Sequence, residues 1–366
     1  MLYYFLYPLR EYFTVFNVFK YITFRAAFAS ITAFLIIVIF APPIIKRLHA
    51  LKIGENVREK ECPNLYDKHK IKQGTPTMGG ILILIGVFAS TLLWAELNNP
   101  YLLLALFVTL YMGVLGFVDD YKKLMYKKVK SGSRGLNKRT KLFFQALIGL
   151  VVALFLYWNP DNTRVLEFPF FKNIAIDLGI FYIPFVILVI TACSNAVNIT
   201  DGLDGLAIGA IIMTAVTYTG MSYVTGHVKF AEYLGIYYLP EAAELTIFCA
   251  SIIGAGLGFL WYNSYPASIF MGDTGALALG GAMGTVAVFI KKEMLLFLVG
   301  GIFVVEAMSV LLQIISFRTT GRRIFKIAPL HHHFEMCGWP ESKVTVRFWI
   351  IAIILVLLSF STLKLR

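Results

Sequence analysis

The chain has 366 residues, of which 58% are hydrophobic and only 15% are charged, and its mean hydropathy is +0.74. A soluble protein of this length needs a more polar surface, so the composition excludes a soluble enzyme and predicts a multi-pass membrane protein. The formal net charge of +12 would suit a nucleic-acid-binding protein, but basic cytoplasmic loops explain it better in a membrane protein. We therefore expect the lipid bilayer as a partner and no nucleic acid.

Ten apolar segments approach or exceed the ~20 residues that cross a bilayer. In chain order the predicted spans are 26–45, 78–95, 101–118, 142–158, 178–193, 206–224, 245–262, 276–290, 294–317 and 348–363. They leave no room for a large soluble domain, so the sequence predicts an all-α integral membrane protein with a single domain over residues 1–366. Residues 1–10 lack the basic start of a signal peptide and are interpreted as an interfacial stretch. The four cysteines have no paired spacing and predict neither a disulfide nor a metal framework.

Lysine and arginine are distributed unevenly between the predicted loops. Segments 46–72, 122–141 and 318–347 hold eight, nine and six of them, 23 of the 33 in the chain. By the positive-inside rule this side is cytoplasmic, so both termini face the periplasm. The unusual polar side chains, Asn263 among them, all fall on this side, and we expect the active site at the cytoplasmic face.

The stretch Asn195-Ala-Val-Asn-Ile-Thr-Asp-Gly-Leu-Asp-Gly-Leu206 carries a polar side chain at every third position: Asn195, Asn198, Asp201 and Asp204. In a helix this spacing keeps the four side chains on roughly one face. Each aspartate precedes a glycine, which lets the backbone turn sharply or approach a ligand. Carboxylates and amides without a basic partner nearby suit a divalent cation, a sugar or a nucleoside. Asp201 could instead cap the next helix, although a cap explains one aspartate and not the stripe.

Two further acidic motifs lie at cytoplasmic ends of spans. Asp119 and Asp120 are adjacent and repel each other unless a cation or the following Lys123 stabilises them. Asp273 precedes an apolar segment, where the free N–H groups of a helix start can also meet an anion. Such acids can hold Mg²⁺ with substrate phosphates or take a proton; the alternatives are a solvated helix end and a helix cap. With the aspartates of the stripe they would form a carboxylate ring for a metal–diphosphate complex.

Two more segments are candidates for substrate contacts. Residues 74–80, which include Thr77, follow Lys70 and Lys72, and their hydroxyl and basic groups suit phosphate; an ordinary loop is the alternative. The run His331-His332-His333 holds half of the chain's six histidines. Consecutive histidines cannot all face one direction, so we expect one or two to donate to phosphate or relay protons, and no tridentate metal site.

Glu306 lies inside the ninth predicted span, and an acid within a membrane is a functional candidate by default. We expect a structural role for it instead, bonded to a neighbouring helix, because in the sequence it lies well away from the cytoplasmic motifs.

Together these motifs resemble those of a known family. Asp119-Asp120-x-x-Lys123, the 195–205 stretch, the Gly272-Asp273 turn and the triple histidine are similar to the motifs of polyprenyl-phosphate N-acetylhexosamine-1-phosphate transferases, the glycosyltransferase 4 family. The run Pro-Leu-His-His-His-Phe-Glu-Met-Cys-Gly-Trp resembles the C-terminal loop of its bacterial phospho-N-acetylmuramoyl-pentapeptide transferase branch. The likeness covers almost the whole chain, with Ile199 where leucine is usual and Ala276 where many relatives have serine.

The resemblance implies transfer of phospho-MurNAc-pentapeptide from UDP-MurNAc-pentapeptide to undecaprenyl phosphate, giving lipid I and UMP. It implies Mg²⁺ as the cofactor and the bacterial inner membrane, in peptidoglycan synthesis, as the location. Asp273 would be the principal Mg²⁺ ligand. Asp119, a second ligand, would deprotonate or orient the lipid phosphate with support from Asp120.

The resemblance also implies substrate contacts. Phe270 would stack on uracil, Lys72, Asn198 and Asp204 would line the nucleoside pocket, and the three histidines would contact the phosphate or sugar. The other substrate-binding candidates are Thr77, Lys123, Asn195, Asp201 and Asn263. A UDP-GlcNAc transferase is the nearer alternative and a transporter of anionic solutes the more distant one; the transporter would place its polar groups near the bilayer midplane. The sequence leaves the oligomeric state open, with a homodimer as one option.

Overall fold

The computed structural model describes residues 1–50, 72, 74–129, 135–159, 164–171 and 175–364. Cys62 and Lys70 lie outside these ranges, and the other three cysteines are free thiols. The described residues are mostly helical. In chain order the α-helices are α1 (Leu2–Leu6), α2 (Ile22–Ala50), α3 (Gly80–Trp94), α4 (Pro100–Val129), α5 (Lys138–Trp158), α6 (Tyr182–Thr200), α7 (Leu206–Thr225), α8 (Val228–Leu234), α9 (Ala242–Asn263), α10 (Gly272–Phe289), α11 (Leu296–Val299), α12 (Gly301–Thr320), α13 (Leu330–Met336) and α14 (Glu341–Ser361).

Eight helices in the described ranges are long and apolar enough to cross a membrane. They correspond to eight of the ten predicted spans and make the chain a multi-pass membrane protein. The other two predicted spans fall on α3, which has only 15 residues, and on α10, whose first turn holds an aspartate. The count of ten and the outward termini therefore stay predictions.

Three boundaries differ from the sequence prediction. The segment predicted as one span over 294–317 is broken at Gly300, where α11 ends and α12 begins. The last helix begins at Glu341, seven residues before the predicted 348, because its first turns are polar and gave no apolar signal. The third difference is an antiparallel hairpin of β1 (Val165–Glu167) and β2 (Ala175–Asp177), which lies between the fourth and fifth predicted spans.

The helices pack around α9 and α10. Helix α9 lies against α2, α3 and α7, while α10 lies against α4 and α6. All residues of α10 from Thr274 to Phe289 are buried, and many of them are glycine or alanine. Small side chains let neighbouring helices approach closely, which is the usual way that helices associate in a bilayer. The start of α10 is therefore surrounded by the ends of other helices.

Buried ion pairs also join the helices at the opposite end of α9. The guanidinium of Arg25, at the start of α2, donates to both oxygens of Glu244, at 2.9 and 2.6 Å, in the first turn of α9. Lys292, which follows α10, pairs with Glu167 of β1 at 2.9 Å. On the side predicted to be outward, charged pairs thus join α2 to α9 and the end of α10 to the hairpin.

Candidate active site

The four polar residues of the 195–206 stretch do not share one helix face, contrary to the prediction. Helix α6 ends at Thr200, so Asn195 and Asn198 are helical while the two aspartates follow the helix. Asn195 donates to Gln145 Oε1 at 2.8 Å, and Asn198 donates to Asp273 Oδ1 at 2.9 Å. Asp201 follows the last residue of α6, and the next helix is preceded by Gly205, so Asp201 is not its cap. The four side chains therefore contact different neighbours and do not form one polar face.

Asp119 and Asp273 converge on the same lysines. Lys123 Nζ lies 2.9 Å from Asp119 Oδ2 and 3.0 Å from Asp273 Oδ2. Lys141 Nζ, from the start of α5, lies 2.6 Å from Asp273 Oδ2 and 3.7 Å from Asp119 Oδ2. Because the side chains of both aspartates are largely buried, the attraction to the two ammonium groups is screened less than it would be at a surface. We call these four residues and Asp120 the acid cluster.

Asp120 has a different role from Asp119. Its Oδ1 accepts the backbone N–H of Asp273 at 3.2 Å, and its Oδ2 accepts the N–H and the hydroxyl of Thr274 at 3.0 and 2.8 Å. The free N–H groups at a helix start favour an anion, and here the anion is Asp120 itself. Asp273 is therefore not the cap of α10; it lies in the first turn and points its carboxylate at the lysines.

Glycines of α4 and of the 74–80 segment pack directly against the backbone at the start of α10, next to Asp273. A Cβ added to Gly116, in α4, would lie 2.3 Å from the carbonyl oxygen of Asp273, so no larger residue fits there. On the other side, Gly79 and Gly80 donate to the carbonyls of Phe270 and Met271 at 2.8 and 2.9 Å. The 74–80 segment is thus a support for the start of α10.

A second group of charges surrounds Asp204, in the second half of the 195–206 stretch. Lys72 Nζ pairs with Asp204 Oδ1 at 2.6 Å and also donates to Glu341, at the start of α14. Glu341 Oε1 accepts the N–H of Asp204 at 2.7 Å, and Asp204 Oδ2 accepts the N–H of Ala267 at 2.9 Å. Burial disfavours the charged form of Lys72, but the charges of Glu341 and Asp204 outweigh it and raise the pKa of Lys72 above its ordinary value.

Phe270 and Thr77 lie next to this group. The ring centroid of Phe270 is 5.9 Å from Lys72 Nζ, and the ring is half-buried. The hydroxyl of Thr77 faces Gly272, and Asp120 Oδ2 lies next to the same glycine. Asn263 uses both ends of its amide on the backbone: it accepts the N–H of Gly205 at 3.1 Å and donates to the carbonyl of Ile269 at 2.8 Å. These contacts give Asn263 a bracing role, and its predicted substrate contact stays untested.

The three histidines on α13 face different directions, as expected. His331 is fully buried, and its Nδ1 lies 3.1 Å from Glu306 Oε2. His332 Nδ1 lies 2.7 Å from Glu335, while His333 Nδ1 accepts the N–H of Lys326 at 3.2 Å. Glu306 is bonded to a neighbouring helix, as expected, but that helix is α13, so Glu306 contacts the histidine motif in spite of its distance from it in the sequence.

Sequence reasoning missed three of these partners. Lys141 was counted only as one of nine basic residues in its segment, and nothing in its local sequence distinguished it from the other eight. Glu341 and Gln145 lie near the starts of helices, where polar residues are common. For Glu341 and Gln145, the signal in the sequence was an amide or carboxylate side chain at the end of an apolar span. Lys141 had no such signal.

The donor atoms of the acid cluster fit Mg²⁺, which is usually held by one or two carboxylates together with substrate phosphates. One oxygen from Asp119 and one from Asp273 already lie on either side of a single cation, Lys123 Nζ, at 2.9 and 3.0 Å. In the described part of the chain, no group of three or more His, Cys, Asp or Glu side chains is arranged to hold a metal alone. Oxygen atoms of the substrate would have to complete the coordination.

Comparisons with known proteins cover both charged groups. The model for glycosyl transferase family 4 matches residues 102–291, and phospho-N-acetylmuramoyl-pentapeptide-transferase signature 1 matches residues 72–84. Relatives named phospho-N-acetylmuramoyl-pentapeptide-transferase match end to end: from Citrifermentans bemidjiense 52% identical over 366 residues, from Desulforapulum autotrophicum 52% over 367, and from Thermodesulfovibrio yellowstonii 53% over 369, with 100% of both chains covered. The chain belongs to this family. The predicted resemblance is confirmed.

The two family matches divide the site between them. The signature contains Lys72, Thr77 and the two glycines, Gly79 and Gly80, that support the start of α10. The glycosyl transferase family 4 match contains the acid cluster and the 195–206 stretch. Helix α13 with its histidines lies beyond both, within the full-length alignments to the phospho-N-acetylmuramoyl-pentapeptide-transferase relatives.

Proposed function

We propose that the chain transfers phospho-MurNAc-pentapeptide from UDP-MurNAc-pentapeptide to undecaprenyl phosphate, which forms lipid I and releases UMP. The observation that carries the proposal is the convergence of Asp119 and Asp273 with Lys123 and Lys141 at the ends of apolar helices. It is made in a chain whose full-length relatives bear the name of this transferase. The reaction is the first membrane step of peptidoglycan synthesis and takes place in the bacterial inner membrane.

The position of the acid cluster suits two substrates of different character. Both carry phosphate, so their approach is repulsive until nearby cations neutralise the charge. The isoprenoid tail of the acceptor must stay in lipid while its phosphate reaches the donor. A site formed by the ends of membrane helices meets both needs, and the positive-inside rule puts these ends at the cytoplasmic face. For the ten spans proposed from the apolar segments, the same rule puts both termini in the periplasm.

Asp273 and Asp119 would hold Mg²⁺, which when bound supplies charge neutralisation for the phosphates of the donor. The acceptor reaction itself is direct attack. An oxygen of the lipid phosphate forms a bond to the β-phosphorus of the donor, the bond from that phosphorus to the bridging oxygen of UMP breaks, and UMP leaves with the electron pair. Asp119 orients the lipid phosphate and accepts its proton. Lys123 and Lys141 then hold negative oxygen atoms, and Asp120 fixes the backbone of Asp273.

The second charged group forms the donor pocket. Phe270 stacks on uracil, and its half-buried ring beside Lys72 leaves a face for the base. Lys72 and Asp204 line the nucleoside site, Asn198 links it to Asp273, and the hydroxyl of Thr77 lies near the phosphates. His332, on the histidine helix, lies toward the sugar. Asn195, Asp201, Asn263 and His333 remain proposed contacts of the donor, and a homodimer remains the proposed assembly.

Turnover by the purified protein tests this function. The chain in detergent is given Mg²⁺, undecaprenyl phosphate and either UDP-MurNAc-pentapeptide or UDP-GlcNAc. We expect lipid-linked product and UMP from the first donor only. Product from UDP-GlcNAc alone would keep the chemistry and refute the substrate, while no product from either donor with a folded protein would refute the transferase.

A further inference from the structure

Glu306 caps the helix that carries the histidines. Its Oε2 accepts the N–H of Leu330 at 2.8 Å and its Oε1 accepts the N–H of His331 at 3.1 Å, so the carboxylate satisfies two donors of the first turn of α13. Both Glu306 and His331 are 0% exposed. A buried acid is costly unless it is paired, and here the helix start and the histidine ring are its partners.

The ring of His331 fills the space between Glu306 and the turn after α6. Nδ1 lies 3.1 Å from Glu306 Oε2, and the opposite nitrogen, Nε2, faces Gly202, where an added Cβ would lie only 2.3 Å from it. Neither ring nitrogen completes a well-aligned hydrogen bond with another described residue. His332 also lies against the ring, with ring centroids 4.2 Å apart. Because the protein encloses His331, its ring packs between Glu306 and Gly202 and is not accessible to a substrate.

The turn that His331 touches carries the donor pocket. Gly202 donates to Thr200 at 2.8 Å, and Gly205 has a φ of +73°, so the chain reverses within a few residues. Between these glycines, Asp204 pairs with Lys72. On the far side, Thr345 of α14 donates to the carbonyl of Asp204 at 3.2 Å. The turn is therefore held from two sides, by α14 and by His331.

We infer that Glu306 is a positioning residue that acts through His331 on the 201–205 turn and so sets the geometry of the donor pocket. The inference rests on the proposed function and deepens it: the first histidine of the motif supports the nucleoside site and does not touch the reacting phosphates. Loss of the contact chain Glu306–His331–Gly202 then weakens binding of the UDP donor. The lipid phosphate and the bond-making step, which use the acid cluster, are affected less.

Glutamine at position 306 tests this with little change in volume. The carboxylate accepts the N–H groups of Leu330 and His331 on separate oxygens and lies beside the ring of His331, whereas an amide offers only one oxygen to the two donors. The E306Q variant should raise KM for UDP-MurNAc-pentapeptide about tenfold or more, with kcat and the KM for undecaprenyl phosphate within about threefold. Glu306→Asp keeps both oxygens and should recover part of the loss.

Two further variants separate positioning from general damage. Gly202→Ala leaves the carboxylate intact and drives a methyl group against the ring, so it should raise the donor KM as E306Q does. His331→Ala removes the ring that this methyl group would meet, so adding Gly202→Ala to it should cost little more. Glu232→Gln is the control: it removes one carboxylate charge from the exposed surface of α8, and the donor KM should stay within about twofold.

The outcomes are distinct. No product from the wild type refutes the proposed function. An active wild type with an unchanged donor KM in E306Q refutes the positioning role, and so does a fall confined to kcat, which would mean that His331 acts on the reacting groups. If E306Q does not fold, the Gly202→Ala variant is the test. An unchanged donor KM in Gly202→Ala overturns the inference. It is also overturned if the fold-increase in donor KM of the double variant equals the product of the increases in Gly202→Ala and His331→Ala.

Discussion

Asp120→Asn is the substitution that best separates the two adjacent aspartates. Asp120 accepts three hydrogen bonds from the first turn of α10, at 3.2, 3.0 and 2.8 Å, and is only 5% exposed. Its effect on catalysis should therefore come through the position of Asp273. Asparagine has the same shape but only one acceptor oxygen, so at least one of the three donors loses its partner.

The cost can be worked out from these contacts. A hydrogen bond to a charged group contributes about 1.5–3 kcal/mol, and a carboxylate at a helix start about 0.3–1 kcal/mol more. With one bond lost and the charge removed, we expect the variant to be destabilised by about 2–4 kcal/mol. The start of α10 then shifts, and because small displacements of catalytic groups cost about 100-fold, we expect a similar fall in kcat.

The assay pairs thermal unfolding in detergent with the rate of UMP release. Thr274→Val removes only the 2.8 Å hydroxyl bond to Asp120 and leaves the charge at the helix start, so it should lose about 1.5–3 kcal/mol of stability with a smaller fall in rate. Asp119→Asn should lower the rate strongly with little change in unfolding temperature, because the amide oxygen can still accept the N–H of Leu136 and the change removes one of three mutually repelling carboxylates. An Asp120→Asn variant that unfolds like the wild type and yet is inactive would refute the positioning role.

Four further outcomes are expected. Asp273→Asn should abolish turnover in a folded protein, and activity at normal Mg²⁺ would remove Asp273 as the metal ligand; Asp177→Asn, on the hairpin, is its matched control. Phe270→Ala should weaken the uridine donor more than the lipid, as measured by the two KM values, and equal losses would contradict stacking. EDTA should stop UMP release and added Mg²⁺ should restore it, whereas turnover that persists in EDTA would contradict a metal requirement. Lys141→Met should lower kcat at least 100-fold while Lys138→Met, one turn earlier, has little effect; similar rates for both would place Lys141 outside the site.

The apolar spans and the acids at their ends were predictable because each depends on local sequence. A run of apolar residues predicts a membrane helix without reference to the rest of the chain. Acids at the ends of such runs are costly in lipid and therefore indicate function. For this reason the sequence selected Asp119, Asp120 and Asp273, and the structure brings all three together.

What the sequence could not provide was the choice among similar residues. Lys141 is one of many lysines near the site, and only packing of α5 against α6 brings it to Asp273. The stripe failed for a related reason: the helix ends at Thr200, so a spacing of three no longer describes one face beyond that point. The contact of Glu306 with α13 depends on packing between residues 24 and 25 positions apart in the chain, which an apolar run does not reveal.

The two lysines explain how three buried acids can remain close together. With every carboxyl group ionised, Asp119, Asp120 and Asp273 have three formal negative charges against the two formal positive charges of Lys123 and Lys141, which contact them. Without the lysines, mutual repulsion would push the carboxylates apart or neutralise one of them. Lys123 remains 37% exposed, so its ammonium can turn from the acids to a phosphate without crossing the protein. The same lysines therefore hold the acids in place before substrate binds and are free to neutralise the phosphates afterwards, which is why replacing either should impair turnover more than folding.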